Sequence, residues 1–401
     1  MIITVQGAAE IQNGIYYQYD SESNPLGQGG MGIVYEGRCF RVDNPNEYVP
    51  VAIKKITNTT PDLIERAMRE ASIQIDHPNL LRMWGFIPNM EPDPYTNTYK
   101  TQYYIVMDRL IGVDLYSLIH GVTIDKSGYN VEYAQKLYSL FIDNRFEFVK
   151  IVMTSVLNAI SELHKAGYIH RDIDPSNVMV TNEEQIKLID FGISKTFSSL
   201  NDNGHKLTKT GAIIGKADYA APEIVIGDIM HHNVTTDIYA LGIMLFQLYS
   251  GELPFSGTDP EIMQAQLNEP LPLKNIDNPS IRAVIEKATQ KKQSARYQSV
   301  EDMKADFENC TNAKKRKQLT DTFAPKTDPE QESKTDDMPG INQSPTSASE
   351  NAPVTGYVTE TDGGEASGVP ITSPSGPKVW VWVLISGLGL VIGGLFALLL
   401  I

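Results

Sequence analysis

The chain carries the segment Leu26-Gly27-Gln28-Gly29-Gly30-Met31-Gly32-Ile33-Val34-Tyr35 near its N-terminus. Gly27, Gly29 and Gly32 would let a hairpin lie close over a phosphate with its backbone N–H groups exposed. Val34 follows on the next strand and would cover a base. Dinucleotide-binding turns share this glycine pattern, but they lead into a helix and need an acidic residue about 20 positions further on. Here the glycines lead into a strand, so a phosphate-covering hairpin is the better interpretation.

A second strand-like segment, Val51-Ala52-Ile53-Lys54, supplies a cation behind the glycines. Ala52 can line an adenine pocket, and Lys54 would contact the α- and β-phosphates. A lysine in that position needs an anionic partner from the neighbouring helix, and we select Glu70 for this role. The spacing from the glycines favours this interpretation over an ordinary surface lysine.

Two further segments, His170-Arg171-Asp172 with Asn177 and Asp190-Phe191-Gly192, complete the pattern. Each segment alone could occur by chance, but their order and separations are typical of a phosphoryl-transfer apparatus. Such an apparatus does little covalent chemistry. It holds the triphosphate, neutralises its charge and aims the acceptor hydroxyl.

Over roughly residues 16–317 the chain resembles the Hanks-type Ser/Thr protein kinases, and among them the bacterial membrane-anchored kind. The segments above, together with His77-Pro78-Asn79-Leu80 and Ala221-Pro222-Glu223, occur in the order that the family shows. The resemblance implies an α+β fold of two lobes, a β-rich N-lobe and an α-rich C-lobe. It also implies ATP and Mg²⁺ in the cleft, and transfer of the γ-phosphate to Ser or Thr of protein substrates.

The resemblance assigns roles to individual residues. Asp172 would accept or orient the proton of the substrate hydroxyl, and Asn177 and Asp190 would hold Mg²⁺ through hard oxygen ligands. Met107 would be the gatekeeper, and Asp114 would lie near the ribose. The residues expected to contact the nucleotide are Leu26, Gly27, Gly29, Gly32, Val34, Ala52, Lys54, Met107, Asp108, Leu110 and Asp114.

Three other residues would support the fold without doing chemistry. The resemblance implies that Glu223 and Arg296 form a buried pair. It also implies that Asp237 braces the catalytic loop.

Arg171, directly before Asp172, implies control by phosphorylation of the activation loop, because a phosphate there would neutralise a buried guanidinium. Thr208 and Thr210 stand where related bacterial kinases carry autophosphorylated threonines. The alternative is that both are ordinary loop residues.

The chain departs from the family pattern beside the catalytic aspartate. Relatives carry Lys two residues after it, where this chain has Asp174, and a carboxylate there repels a triphosphate. Lys216 in turn replaces a Thr that packs near the missing Lys in the kinase fold. We therefore expect Lys216 to pair with Asp174 and to act in catalysis. The alternative is a catalytically silent pseudokinase scaffold that binds nucleotide or partner proteins.

Two smaller features concern length. Only six residues separate Glu70 from His77, about two fewer than in relatives, so Glu65 stays an alternative partner for Lys54. Residues 121–143 resemble an insertion, to which the sequence assigns no function.

The sequence predicts four regions: an N-lobe over residues 1–108, a C-lobe over 109–317, a linker over 318–378 and a membrane helix over 379–401. The linker is expected to be disordered because it is rich in Pro, Ser, Thr and acidic residues. The last 23 residues carry no charge and would span roughly 34 Å as a helix, enough for a hydrocarbon core of about 30 Å. Gly389 and Gly393 could pair two such helices in a transient homodimer, although glycines are ordinary in membrane helices.

The kinase would then face the cytoplasm, held at a bacterial inner membrane or at an organelle membrane facing the cytosol. A net charge of −15 argues against nucleic acid as a partner. The two cysteines give no disulfide framework, which fits a reducing compartment.

Overall fold

The computed structural model describes residues 1–93, 98–190, 195–196 and 216–311. These residues form a lobe built mainly on strands and a lobe built mainly on helices. The arrangement confirms the predicted α+β fold of two lobes. The predicted linker 318–378, the predicted membrane helix 379–401, Thr208 and Thr210 all lie outside the described residues. Within the described part of the chain, no helix is both long enough and apolar enough to cross a membrane.

The N-lobe is an antiparallel sheet of seven strands with two helices. Its strand order is β1-β2-β4-β5-β7-β6, with β3 paired to β4. In chain order its elements are β1 (Ile2–Val5), α1 (Ala8–Gln12), β2 (Ile15–Asp20), β3 (Gly27–Gly29), β4 (Gly32–Arg41), β5 (Asn44–Ile56), α2 (Pro61–Ser72), β6 (Met83–Pro92) and β7 (Tyr99–Asp108).

The two end strands of this sheet are tied together by one buried amide. Asn89 on β6 accepts a hydrogen bond from the Gln6 N–H at 3.2 Å and donates one to the Thr4 carbonyl at 3.2 Å. The sheet thereby curls around a core that includes Tyr19 and Tyr104, whose hydroxyls lie 3.2 Å apart. Pairing and coverage of this kind remove the exposed edges that open sheets must otherwise protect.

The sequence did not predict β1, α1 or β6. Strand β6 contains Gly85, Pro88 and Pro92, which weaken a strand pattern read from sequence alone. Proline is tolerated there because β6 is the last strand in the order and pairs through hydrogen bonds on one side.

The C-lobe is mostly helical. Helix α7 lies at its centre, with every residue from 235 to 248 buried, because its sequence is apolar almost all round. In chain order the elements are β8 (Gly112–Asp114), α3 (Leu115–Ile119), α4 (Glu132–Asp143), α5 (Arg145–Lys165), β9 (Tyr168–Ile169), β10 (Val178–Thr181), β11 (Ile186–Leu188), β12 (Lys195–Thr196), α6 (Pro222–Val225), α7 (Val234–Ser250), α8 (Asp259–Asn268), α9 (Pro279–Ala288) and α10 (Val300–Thr311).

Glu223 and Arg296 form a buried, two-pronged ion pair in this lobe. The guanidinium donates to the two carboxylate oxygens at 2.8 and 2.9 Å, and to the carbonyl of Thr235 at 2.9 Å. Thr236 donates its hydroxyl to the same carboxylate at 2.9 Å. Burial alone raises the pKa of Glu223, but the hydrogen bonds and charge of Arg296 outweigh it and hold that pKa below its ordinary value. Through the bonds to Thr235 and Thr236, the pair joins α6 to the start of α7.

Replacing Glu223 by Ala should lower the free energy of unfolding by about 3 kcal/mol, because it leaves a buried guanidinium without its anion. Since the folded-state pKa of Glu223 is depressed, its contribution is present above the ordinary carboxyl pKa of 4.5 and is lost as the pH falls. Denaturant unfolding of the full chain at neutral and acidic pH measures both effects. The matched control is Lys304→Ala, which removes a partly exposed contact to Glu308 and should change stability by under about 0.5 kcal/mol. Equal stability of the Glu223 variant and the parent at neutral pH would contradict the assignment.

Candidate active site

A cleft of about 690 Å³ lies between the lobes. It is lined by the glycine hairpin, the end of β5, Asp190 and the connection between the lobes, which runs from the end of β7 through β8. Each residue that the sequence places at the nucleotide lines this one cleft: Leu26, Gly27, Gly29, Gly32, Val34, Ala52, Lys54, Met107, Asp108, Leu110 and Asp114.

The glycines of the hairpin are needed for two different reasons. A side chain at Gly32 would place its Cβ 2.1 Å from the Lys55 carbonyl oxygen, so the fold itself requires glycine there. Gly27 and Gly29 have nothing within 4 Å of such a Cβ. Without side chains at Gly27 and Gly29 the backbone stays open to the cleft, which the close approach of a phosphate requires.

Lys54 and Glu70 form a buried ion pair beside the cleft. The Lys54 ammonium donates to both carboxylate oxygens of Glu70, at 2.9 and 3.1 Å. Glu65 instead pairs with Arg69 on the exposed face of α2, so the structure selects Glu70 as the partner. Burial alone lowers the pKa of Lys54, but the carboxylates of Glu70 and Asp190 raise it above its ordinary value. The Lys54 ammonium therefore stays charged, and Lys54 lines the cleft.

Asp172 and Asn177 lie together on the loop between β9 and β10. Asn177 donates its amide N–H to the Asp172 carbonyl at 2.8 Å and to the Asp172 carboxylate at 3.2 Å. Burial raises the pKa of Asp172, and the nearby charges of Asp174 and Asp190 raise it further. A carboxylate with a raised pKa accepts a proton more readily. Its neighbour Arg171 (φ 68°) and Asp190 (φ 61°) both have left-handed backbones, a strained conformation often found at functional sites.

The backbone of this loop is held by Asp237. Its fully buried carboxylate accepts the N–H of His170 at 2.8 Å and that of Arg171 at 2.7 Å. His164 on α5 contacts the same carboxylate through Nε2 at 2.7 Å, a contact that the sequence did not predict. Burial alone raises the pKa of Asp237, but His164 and the backbone donors hold it below its ordinary value. The carboxylate therefore stays ionised beneath the loop.

A family model described as the protein kinase domain matches residues 21–321. The chain belongs to the protein kinase family. Among curated proteins it is 30% identical over 300 residues to a probable serine/threonine-protein kinase PknB of Lactococcus lactis, covering 73% of this chain and 42% of that protein. It is 30% identical over 300 residues to serine/threonine-protein kinase PrkC of Bacillus subtilis, covering 72% and 40%. The serine/threonine-protein kinase PknB of Mycobacterium tuberculosis is 28% identical over 305 residues, covering 72% and 42%. The chain thus spans about two fifths of the length of these relatives.

The departure from the kinase pattern at Asp174 is matched by a contact from Lys216. The Lys216 ammonium donates to Asp174 Oδ1 at 2.8 Å and to the Ser176 hydroxyl at 2.9 Å. Asp174 Oδ1 also accepts the Ser176 N–H at 2.7 Å and hydroxyl at 2.6 Å. The Asp174 side chain is only 3% exposed, whereas that of Lys216 is 44% exposed. A cation from the segment that leads into α6 therefore lies against the loop that carries Asp172 and Asp174.

The Arg171 guanidinium is buried, and its Nε and Nη2 atoms have no hydrogen-bond partner among the described residues. Burial lowers the pKa of Arg171 to about 10. Unpaired buried charge is costly, so this guanidinium favours an incoming anion. Thr208 and Thr210, whose phosphates would supply it, lie outside the described residues.

Several cleft residues had no sequence signal. Leu63 and Arg66 of α2, Met179 of β10 and residues 122 and 124–127 line the cleft without belonging to any quoted motif. The last group belongs to the insertion over residues 121–143. Only the three-dimensional contact with the lobe connection shows that this insertion reaches the cleft.

Replacing Glu70 by Gln should reduce phosphate transfer at least about tenfold, because Lys54 loses the charge that holds it beside the phosphates. The matched control, Glu65→Gln on the same helix, removes an exposed charge and should leave the rate within about twofold. Steady-state kinetics with Mg-ATP on both full-length variants makes the comparison. A larger loss for Glu65→Gln than for Glu70→Gln would overturn the pairing.

Proposed function

We propose that this chain is an ATP-dependent Ser/Thr protein kinase that phosphorylates protein substrates and its own activation loop. The observation that carries the proposal is the buried Lys54–Glu70 pair, which lies in one cleft with the glycine hairpin and Asp190. The names of the relatives, all serine/threonine-protein kinases, support the choice of acceptor.

The residues present fit a magnesium site. Asn177 directs its amide N–H groups at Asp172 and Asp174, which leaves its carbonyl oxygen as an acceptor for a cation. Asp190 lines the cleft and Asn177 does not, but the backbone carbonyl of Asn177 accepts the N–H of Ile189, directly before Asp190, at 2.8 Å. Both are hard oxygen ligands of the kind that Mg²⁺ prefers, and Mg²⁺ would supply charge neutralisation for the triphosphate.

The remaining chemistry falls to side chains of the chain itself. Lys54 would hold the α- and β-phosphates, and the backbone of the glycine hairpin would cover them. Asp172 would orient the acceptor hydroxyl and take its proton, with its carboxylate aligned by Asn177. The rate would come chiefly from position and electrostatics, as expected for phosphoryl transfer.

Lys216 would replace the cation that relatives carry at the position of Asp174. Its contact with Asp174 and Ser176 supports this role, because the ammonium neutralises the carboxylate that would otherwise repel a triphosphate. Asp174 is the main argument for a silent scaffold, and its contact with Lys216 supports the active kinase instead.

The proposal extends to regions outside the described residues on sequence grounds alone. The kinase would comprise an N-lobe over 1–108 and a C-lobe over 109–317. Residues 318–378 would link it to a membrane anchor over 379–401, with the kinase on the cytoplasmic side. Shared anchorage would raise the effective concentration of two copies and favour phosphorylation between them in a transient homodimer.

The purified full-length chain should phosphorylate itself in Mg-ATP, and the Asp172→Ala variant should not, because it lacks the group that orients the hydroxyl. Mass spectrometry should place phosphate on Thr208 or Thr210, where it would neutralise Arg171. Nucleotide binding without any transfer by the parent would contradict an active kinase and favour the scaffold.

Lys216→Ala should lower transfer at least about a hundredfold, a loss typical of removing one transition-state cation. The double variant Asp174→Lys with Lys216→Thr should recover most of the activity, because it returns the cation to the position that relatives use. Turnover at saturating ATP compares the parent with both variants. Full activity of Lys216→Ala would rule out the proposed role.

A further inference from the structure

The insertion begins with a small, well-defined hairpin over residues 123–131, which we call the insertion hairpin. Its ends are joined by the Val131 N–H, which donates to the Thr123 carbonyl at 3.0 Å. Within it, the Asp125 N–H donates to the Tyr129 carbonyl at 2.8 Å, and the buried Asp125 carboxylate accepts the N–H groups of Ser127 and Tyr129 at 2.9 and 2.8 Å. Gly128 takes φ 86°, which suits glycine at the turn. The hairpin is therefore a built element with its own internal bonds.

The insertion hairpin forms one wall of the nucleotide cleft. Ile124, Lys126 and Ser127 line the cleft together with Leu110 and Asp114 from the connection between the lobes. Asp172 does not line this cleft. Because Leu110 is expected at the adenine and Asp114 at the ribose, the hairpin lines the cleft together with residues expected to contact the nucleoside.

Arg109 holds the hairpin against the lobe connection. Its side chain is only 7% exposed, and its Nη2 lies 3.5 Å from the Ser127 hydroxyl. Its Nε has no hydrogen-bond partner within the described chain and lies 3.7 Å from the Glu36 carboxylate on β4. A buried guanidinium thus lies between Glu36 of the N-lobe sheet and Ser127 of the insertion hairpin.

Asp114, which the sequence places near the ribose, is already engaged at the start of α3. One carboxylate oxygen accepts the Ser117 N–H at 2.7 Å, and the other accepts the Ser117 hydroxyl at 2.8 Å. Two of the roughly four acceptor sites of this carboxylate are thus occupied. Lys126 and Ser127 are polar side chains that the hairpin adds to the lining of the cleft.

Two apolar residues beside these groups are exposed although they line the cleft. Val122 is 46% exposed and Ile124 is 53% exposed. Large apolar side chains on the wall of a cleft gain free energy when a ligand covers them. A sugar with its attached base offers both an apolar face for these residues and hydroxyls for Lys126 and Ser127.

We propose that the insertion hairpin is part of the nucleotide site, where Ser127 and Lys126 hydrogen-bond the ribose hydroxyls and Ile124 covers the sugar. The inference rests on the proposed function, since it names residues that determine affinity for the nucleoside part of ATP. The hairpin would strengthen nucleotide binding without taking part in transfer. It would also make the chain discriminate against nucleotides that lack a ribose hydroxyl.

Two full-length variants test this. In the first, residues 124–130 are replaced by Gly-Gly, which the 3.0 Å separation of the Thr123 carbonyl and the Val131 N–H allows. The second is the double variant Lys126→Ala with Ser127→Ala, which keeps the hairpin. The control is Lys136→Ala, which removes an exposed lysine from α4 of the same insertion. Calorimetric titrations with Mg-ATP and with its 2′-deoxy and 3′-deoxy analogues give the affinities, and thermal unfolding checks that each variant is folded.

We expect the excision to weaken ATP binding about tenfold and the double alanine variant about fivefold, the effect of one or two net hydrogen bonds. Both should bind ATP and the deoxy analogues equally, whereas the parent and Lys136→Ala should prefer ATP. Turnover of the Lys136→Ala control should stay within about twofold of the parent.

The outcomes separate the two proposals. A parent that binds no nucleotide would overturn the proposed function and this inference together. A parent that binds ATP, with unchanged affinity and unchanged discrimination in the double alanine variant, would overturn the hairpin's role alone. A rise only in the KM for a protein substrate would assign the hairpin to the acceptor peptide and also overturn it.

Discussion

The catalytic loop depends on one buried carboxylate. Asp237, on α7, accepts the backbone N–H groups of His170 and Arg171 and contacts Nε2 of His164 on α5. Its two oxygens therefore join α7 both to the loop and to α5. This fixes the strained, left-handed backbone of Arg171 directly before Asp172. A strained conformation persists only where its surroundings over-determine it. The backbone that leads into Asp172 is therefore held by an interaction deep in the C-lobe.

In the N-lobe the main constraint is the burial of a cation, the ammonium of Lys54. Lys54 is 9% exposed and would lose its charge there without partners. Glu70 supplies the partner, and it can do so because α2 packs against the curled sheet rather than lying free. The Asn89 bonds join the two ends of that sheet. Strand β5 of the sheet supplies the cation, and α2 supplies its anionic partner.

Much of the site could be predicted because its residues lie in short segments with recognisable spacing. The glycine hairpin, the strand ending at Lys54 and the pairing of Asp174 with Lys216 all leave a local signal, in the last case two departures of opposite charge. Other features leave none. The bond between Gln6 and Asn89 joins residues 83 positions apart, and neither residue type suggests a partner. The insertion hairpin has a clear turn at Gly128, but its contact with Arg109 beside the cleft leaves no signal, because Arg109 is an ordinary surface residue by sequence.

The Lys216 cation reaches the loop of Asp172 and Asp174 from a separate segment of the chain. A lysine within the catalytic loop would be present whenever that loop is folded. Here the loop carries the carboxylate of Asp174, and the cation arrives from the segment that leads into α6. A carboxylate with 3% exposure is unfavourable without its partner, so docking of that segment and neutral charge at the catalytic loop are coupled. Arg171 in the same loop has two guanidinium atoms, Nε and Nη2, without hydrogen-bond partners among the described residues. The charge of Asp174 is thus balanced by a lysine from outside its own loop.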